Sequence, residues 1–211
     1  MRTILQIAVV GMAVLISSCG NEKKDENKTD KDTTKTEKPK KEVKKDEAAS
    51  MDKEFKADKN GQWAIAAEAS SSYAGKATGK TASWSADQMI GAPDVDKYGD
   101  NGKAWASAEQ DLGNEWVMLS YEKPVYATEV RIRMTYNPGA VARIELRDVN
   151  GKIIEVYNAK DTKKYNGKIA WFVTTFEKTK TLVKDVKITL DSKGVSGWNE
   201  IDAVQLVGTA E

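Results

Sequence analysis

The chain has 211 residues, enough for one domain with appendages and too few for two full domains. Lysine and arginine number 33 against 32 aspartates and glutamates, so the net charge of +1 provides no field to recruit nucleic acid. Histidine is absent and cysteine occurs once, which excludes Ser–His and Cys–His nucleophile pairs, histidine metal sites and an internal disulfide. Metal chemistry is thereby directed to hard ions bound by oxygen.

In chain order, Arg2 precedes an apolar run from Ile4 to Ile16, about 13 residues, which is short for a bilayer span and fits a signal-peptide core. Ser17-Ser18-Cys19, with Ile16 three positions ahead of the cysteine, resembles the lipobox of bacterial lipoproteins. That resemblance implies removal of 1–18 and acylation, palmitate included, of the Cys19 thiol and the new amino group. Two or more acyl chains anchor stably where one does not. The other reading is an ordinary signal peptide or a short N-terminal anchor. Asn21 to Lys45 follows, with about ten lysines, a similar number of acids and Val43 as its one large apolar residue. Such a segment has too little to bury to offset ordering entropy. The predicted tether covers 19–61, with an r.m.s. reach of roughly 30 Å. Its first residues, Gly20 to Glu26, resemble charged signals that export lipoproteins to the surface of Bacteroidetes-type bacteria. The expected location is the bacterial cell envelope, at the outer membrane, with membrane contact through the lipid.

From 62 to 211 the composition is globular, and strand patterns dominate. "WAIAAEAS" from Trp63 opens the domain. Ser85 to Pro93 carries a possible N-cap and two stop residues, Gly91 and Pro93, and predicts a short helical turn. "EWVMLSY" from Glu115 predicts a strand. Val130, Ile132 and Met134 then alternate with Arg131, Arg133 and Thr135, which predicts a half-buried strand with a charged outer face. Asn150-Gly151 between two alternating runs predicts a hairpin. "AWFVTTF", "TLVKDVKITL" and "NEIDAVQLVGT" supply three more strands. Seven or eight short strands with almost no helix predict an all-β antiparallel sandwich. The last strand is polar at its start and apolar at its end on both faces, as a central strand emerging from a rim would be.

Six blocks in order carry a family resemblance: "GAPDV", "AWAS", "EWVML", "PVYATEVRI", "YNPGAVARIELRDVNGK" and "GWNEIDAVQLVG". They resemble the discoidin-like, galactose-binding-like jelly roll related to coagulation-factor type C domains, in its pappalysin-associated branch. That resemblance implies a calcium-stabilised sandwich whose rim loops bind glycans, lipid headgroups or proteins, without catalysis.

Candidate sites follow. Asp94, Asp96 and Asp100 crowd one glycine-containing loop and must either splay in solvent or share a cation. The loop only partly matches a calcium helix–loop–helix pattern, because Tyr98 and Trp105 stand where oxygen ligands belong. In the discoidin-like pattern Asp94 lies beside the metal and Glu200 completes the site, so Ca²⁺ is the expected structural ion. A buried rim carboxylate needs an ion or a salt-bridge partner. Trp116 and Trp171 lie within strand patterns and read as core or sheet-face residues. Tyr73, Trp84, Tyr98, Tyr136 and Trp198 lie in loop contexts, where aromatics either stack on sugars or plug the sandwich ends. Arg133, Tyr136 and Asn137, with Tyr98 and Trp198, form the predicted ligand-binding set. The main functional expectation is non-catalytic recognition of carbohydrate or another extracellular ligand. The rivals are an assembly subunit of an envelope complex and a glycoside hydrolase using Glu200 and Asp202, roughly 7 Å apart on one strand side.

Overall fold

The computed structural model describes residues 47–161 and 163–211. Cys19, the signal segment and the predicted tether as far as 46 lie outside the described residues. The rest of that tether differs from expectation. Helix α1, Glu47–Ala57, occupies it, and Ala48 and Phe55 are buried. Ala48, Met51 and Phe55 recur at helical spacing, so one face of α1 is apolar amid charged neighbours. The folded part therefore begins well before 62.

Eight strands follow among the described residues: β1 (Gly61–Trp63), β2 (Ala66–Ala69), β3 (Asn114–Tyr136), β4 (Val141–Asp148), β5 (Ile153–Asn158), β6 (Ala170–Thr175), β7 (Val183–Asp191) and β8 (Glu200–Thr209). Every pairing between them is antiparallel. The predicted short helical turn is a single 3₁₀ turn, Ala86–Met89. Ser85 precedes it, but its hydroxyl donates to the Gly79 carbonyl (3.2 Å) instead of capping the turn.

The two central runs that read as separate strands form one strand, β3, which serves both layers. Its first half pairs with β2 and β7, and its second half with β8 and β6. The register breaks between Ser120 and Val125, where Pro124 supplies no ladder N–H. One layer is thus β2-β3-β7-β4-β5 and the other β1-β8-β3-β6. Their inner faces meet in one core built from Val117, Leu119, Ile132, Met134, Ile144, Ile188, Val204 and Leu206. The expected all-β jelly-roll sandwich is the observed architecture, and β8 is central and buried along nearly its whole length.

The hairpin expected at Asn150-Gly151 joins β4 to β5. The Asp148 carboxylate accepts the amides of Asn150 (2.8 Å) and Lys152 (2.9 Å), and Gly151 takes φ +83°. Glycine tolerates that left-handed conformation without a Cβ clash. Trp116 lies half-buried on a sheet face beneath Lys187, and Trp171 is buried.

The second half of β3 differs from its predicted charged outer face. Arg131 and Arg133 are buried, and Thr135 is fully so. Helix α1 covers that face. Its Phe55 ring meets Trp171 edge-on at 4.9 Å and lies under the Arg131 guanidinium at 4.0 Å. The Asp52 carboxylate receives both Arg133 Nε and Nη2 at 2.9 Å, and the Trp171 indole N–H at 2.8 Å. Gln205 on β8 donates to the Phe55 carbonyl (2.9 Å), and Arg131 also pairs with Asp58 (2.8 Å).

Candidate functional site

Three loops converge at one rim of the sandwich: 70–84, 91–107 and 192–200. Short turn-forming segments bring them together, and backbone bonds brace them. Tyr73 N–H donates to the Ala106 carbonyl (2.9 Å) and Trp84 N–H to the Gly102 carbonyl (2.9 Å). The Ser72 hydroxyl holds the Trp84 carbonyl (2.8 Å). Gly102 allows this approach, because a Cβ there would stand 2.8 Å from Ser83 Cβ. Trp84 itself takes φ +57°, a strained conformation for so bulky a residue, which the surrounding bonds enforce.

Between these loops lies a chamber of about 70 Å³, lined by Tyr73, Trp84, Asp100, Ala106, Trp198 and Glu200. The Tyr73 ring stands 5.2 Å from Trp84 at 70° and 5.7 Å from Trp198 at 88°. Trp84 Nε1 donates to Asp100 Oδ1 (2.9 Å), and Trp198 Nε1 to the Ser107 carbonyl (3.1 Å). Glu200 sits at the start of β8, only 1 % exposed, and accepts the Asn101 amide (3.1 Å to Oε2). Burial pushes its carboxyl up to about 8, and the hydrogen bond and charge of Asp100 push the same way. The Asn101 amide and the Trp84 side chain oppose that rise. The buried Glu200 carboxyl therefore favours its protonated form at neutral pH.

The expected calcium ligands fall into separate groups. Asp100 and Glu200 come together. Asp94 instead donates its amide to Asp202 Oδ1 (3.3 Å), and the Asp94 and Asp96 side chains are exposed. Among the described residues no three His, Cys, Asp or Glu side chains gather as a metal cluster.

The expected ligand-binding set divides as well. Arg133 is not a rim group. It is 3 % exposed, and it spends its donors on Asp52, the Val95 carbonyl (2.7 Å) and Asp202 (2.5 Å). Asp202, to which the sequence assigned only the hydrolase alternative, is its buried counter-ion. Burial pushes the Asp202 carboxyl up to about 6, with the Arg133 charge restraining it. Asp202 does not line the chamber, so Glu200 and Asp202 do not face one cleft as a hydrolytic pair.

Tyr98 and Tyr136 do meet, edge to face at 5.6 Å, and Tyr98 Oη donates to Asn137 Oδ1 (3.2 Å). Asn137 takes φ +40° and donates its amide to the Trp198 carbonyl (3.0 Å). Asn137 thus ties the loops together. Tyr98 also borders an open cleft of about 510 Å³ that runs past Asp96, Lys163, Lys164 and Trp171 to α1. That cleft is larger than the chamber, and its lining mixes lysines with the acids Glu47 and Asp96.

Residues 54–211 match the family described as Pappalysin-1, SD scarf domain, C-terminal. The chain belongs to that family. The scarf domain here is the discoidin-like sandwich that the six ordered blocks resemble. No curated protein matches the chain. Among solved structures, a selenomethionine-labelled point mutant of chitosan-binding module 1, from a chitosanase/glucanase of Paenibacillus sp. IK-5, is 15 % identical. It covers 70 % of this chain and 99 % of its own, at a TM-score of 0.51. The unlabelled module is 17 % identical, covering 68 % and 95 % at 0.48. The family 32 carbohydrate-binding module of Streptococcus pneumoniae EndoD is 12 % identical, covering 70 % and 99 % at 0.49. At such identities only the fold carries over to the scarf domain. Of its chamber residues, Asp100, Trp198 and Glu200 belong to the predicted sites. Tyr73 and Trp84 appeared only as loop aromatics, since nothing local in sequence brings positions 73, 84 and 198 together.

Proposed function

We propose that this protein is a lipid-anchored component of the bacterial cell envelope whose scarf domain binds carbohydrate, without catalysis, at the rim built from Tyr73, Trp84 and Trp198. The chamber carries this reading. Aromatic faces offer stacking surfaces for sugar rings, and a few convergent polar groups fix orientation. Tyr73 is 53 % exposed, so a pyranose has an open face to lie on. The chitosan-binding function named for the similar Paenibacillus module supports the same reading. Calcium, expected from the sequence resemblance, has Asp100 and Glu200 as its remaining side-chain pair. The ion takes six to eight oxygens, so most would have to come from carbonyls and water.

A glycan array probed with the purified chain tests the proposal. Binding of at least one glycan is expected, and Tyr73→Ala should weaken it by roughly 1–3 kcal/mol. Recovery of one stoichiometric protein partner with no glycan signal would support the assembly-subunit reading instead. The anchor has its own test in metabolic labelling with palmitate. Label should enter the wild-type chain and be absent from Cys19→Ser. Equal labelling of both would remove Cys19 as the acylated residue.

A further inference from the structure

We propose that the chamber between Tyr73, Trp84 and Trp198 receives an organic ammonium group, held against the aromatic rings and the Asp100 carboxylate. The inference rests on the carbohydrate reading only for what presents that group, namely the protonated amine of an amino sugar.

Size is the first argument. Small-molecule pockets start at about 300 Å³. A space of about 70 Å³ therefore admits a substituent of a few heavy atoms and not a sugar ring. The ring must lie outside, against the exposed face of Tyr73.

Charge is the second. Two of the six lining residues are acids and none is basic. An anionic substituent would be repelled by the Asp100 carboxylate, whereas a cation would be attracted to it. The walls then select among cations. Rings attract an ammonium within about 6 Å of their centroids through the negative π face. They offer nothing to Ca²⁺, which needs a full shell of oxygens. Both indole N–H groups are already committed, one to Asp100 and one to the Ser107 carbonyl, so they are not free to donate to a ligand.

Preorganisation is the third. Tyr73 stands nearly perpendicular to both tryptophans, and backbone bonds from Ala106 and Gly102 fix Tyr73 and Trp84 in place. The three walls of the box are built before any ligand arrives, which lowers the ordering cost of binding.

Calorimetric titration of the full chain at mildly acidic pH tests this with three probes: a glucosamine oligomer with free amines, its fully N-acetylated counterpart, and choline chloride. The free-amine oligomer should bind about tenfold more tightly than the acetylated one, and choline should compete with it. Tyr73→Leu keeps an apolar wall without a π face, and Asp100→Asn removes the charge. Each should lose about tenfold while the circular dichroism stays that of the wild type. Trp84→Ala serves as a third variant if it folds. Equal binding of both oligomers would overturn the ammonium proposal and leave the carbohydrate reading standing. Choline binding that needs Tyr73 and Asp100, with neither oligomer bound, would keep the ammonium site and remove the sugar. Failure of all three probes, or Ca²⁺ binding that blocks the pair while choline has no effect, would overturn the proposal.

Discussion

Replacing Arg133 by methionine is expected to destabilise the domain by about 3–5 kcal/mol, the range for removing one partner of a buried ion pair. The guanidinium has no water to fall back on, and neither does Asp202, while Asp52 is only partly buried. Asp202 is 2 % exposed and would be left buried without its cation. Asp52 would lose two of its three donors, and the Val95 carbonyl would lose its only named one. The double variant Arg133→Met with Asp202→Leu should cost less than the single one, because it leaves no stranded charge. Asp52→Ala should cost about 1.5–3 kcal/mol, since charged hydrogen bonds to Arg133 and Trp171 disappear together. Chemical denaturation measures all three. Hydrogen exchange adds a local readout. The Asp94 amide, bonded to Asp202, should lose protection in Arg133→Met even well below the unfolding transition. A loss under about 1 kcal/mol in Arg133→Met would mean that α1 and the 93–96 loop are held by other contacts.

Stability is also expected to fall as pH rises from about 4.5 to about 8, and to stop falling above that. The sign follows from Glu200. Its folded carboxyl is pushed up to about 8 from an ordinary 4.5, so between those values the folded state holds a proton that the unfolded state has released. That contribution is complete below the unfolded value and lost through the folded one, at up to about 1.4 kcal/mol per pH unit. Asp202 acts in the same direction over the lower part of this window, up to about 6, so the slope above that belongs to Glu200. Glu200→Gln keeps a neutral group that can accept from Asn101 and donate to Asp100. It should flatten the slope and match or exceed the wild type at pH 8. Melting curves across pH check this. A wild-type slope that persists unchanged in Glu200→Gln would place the titrating group elsewhere. A cation bound to the pair would hold both carboxylates ionised, so its presence should likewise abolish the slope.

The strands were legible because alternation is local. Val130, Ile132 and Met134 declare a buried face whatever lies beyond, and Asn150-Gly151 declares a hairpin. The fate of the other face was not. Arg131 and Arg133 read as solvent-facing until α1, 74 and more residues earlier in the chain, supplies Asp52 and Phe55, and the residue after it supplies Asp58. Helix α1 itself was hidden in a charged segment whose few apolar residues gain value only against Trp171. The union of two predicted strands into β3 was not legible, because Pro124 between them breaks the ladder register without ending the strand. At the rim, the sequence identified the acids and several aromatics. Their partners depend on how three loops fold back, so Glu200 was correctly suspected of needing a partner while the nearest acid proved to be Asp100 and not Asp94.

The central claim is that the Tyr73–Trp84–Trp198 rim, and not the larger cleft beside α1, is where ligand binds. Indole N–H resonances recorded while a glycan identified on the array is titrated test it directly. The six tryptophans give distinguishable probes on both sides of the question. The Trp84 and Trp198 signals are expected to shift with ligand, while Trp171, which borders the cleft beneath α1, is expected to stay in place. A shift at Trp171 with Trp84 and Trp198 unmoved would contradict the claim.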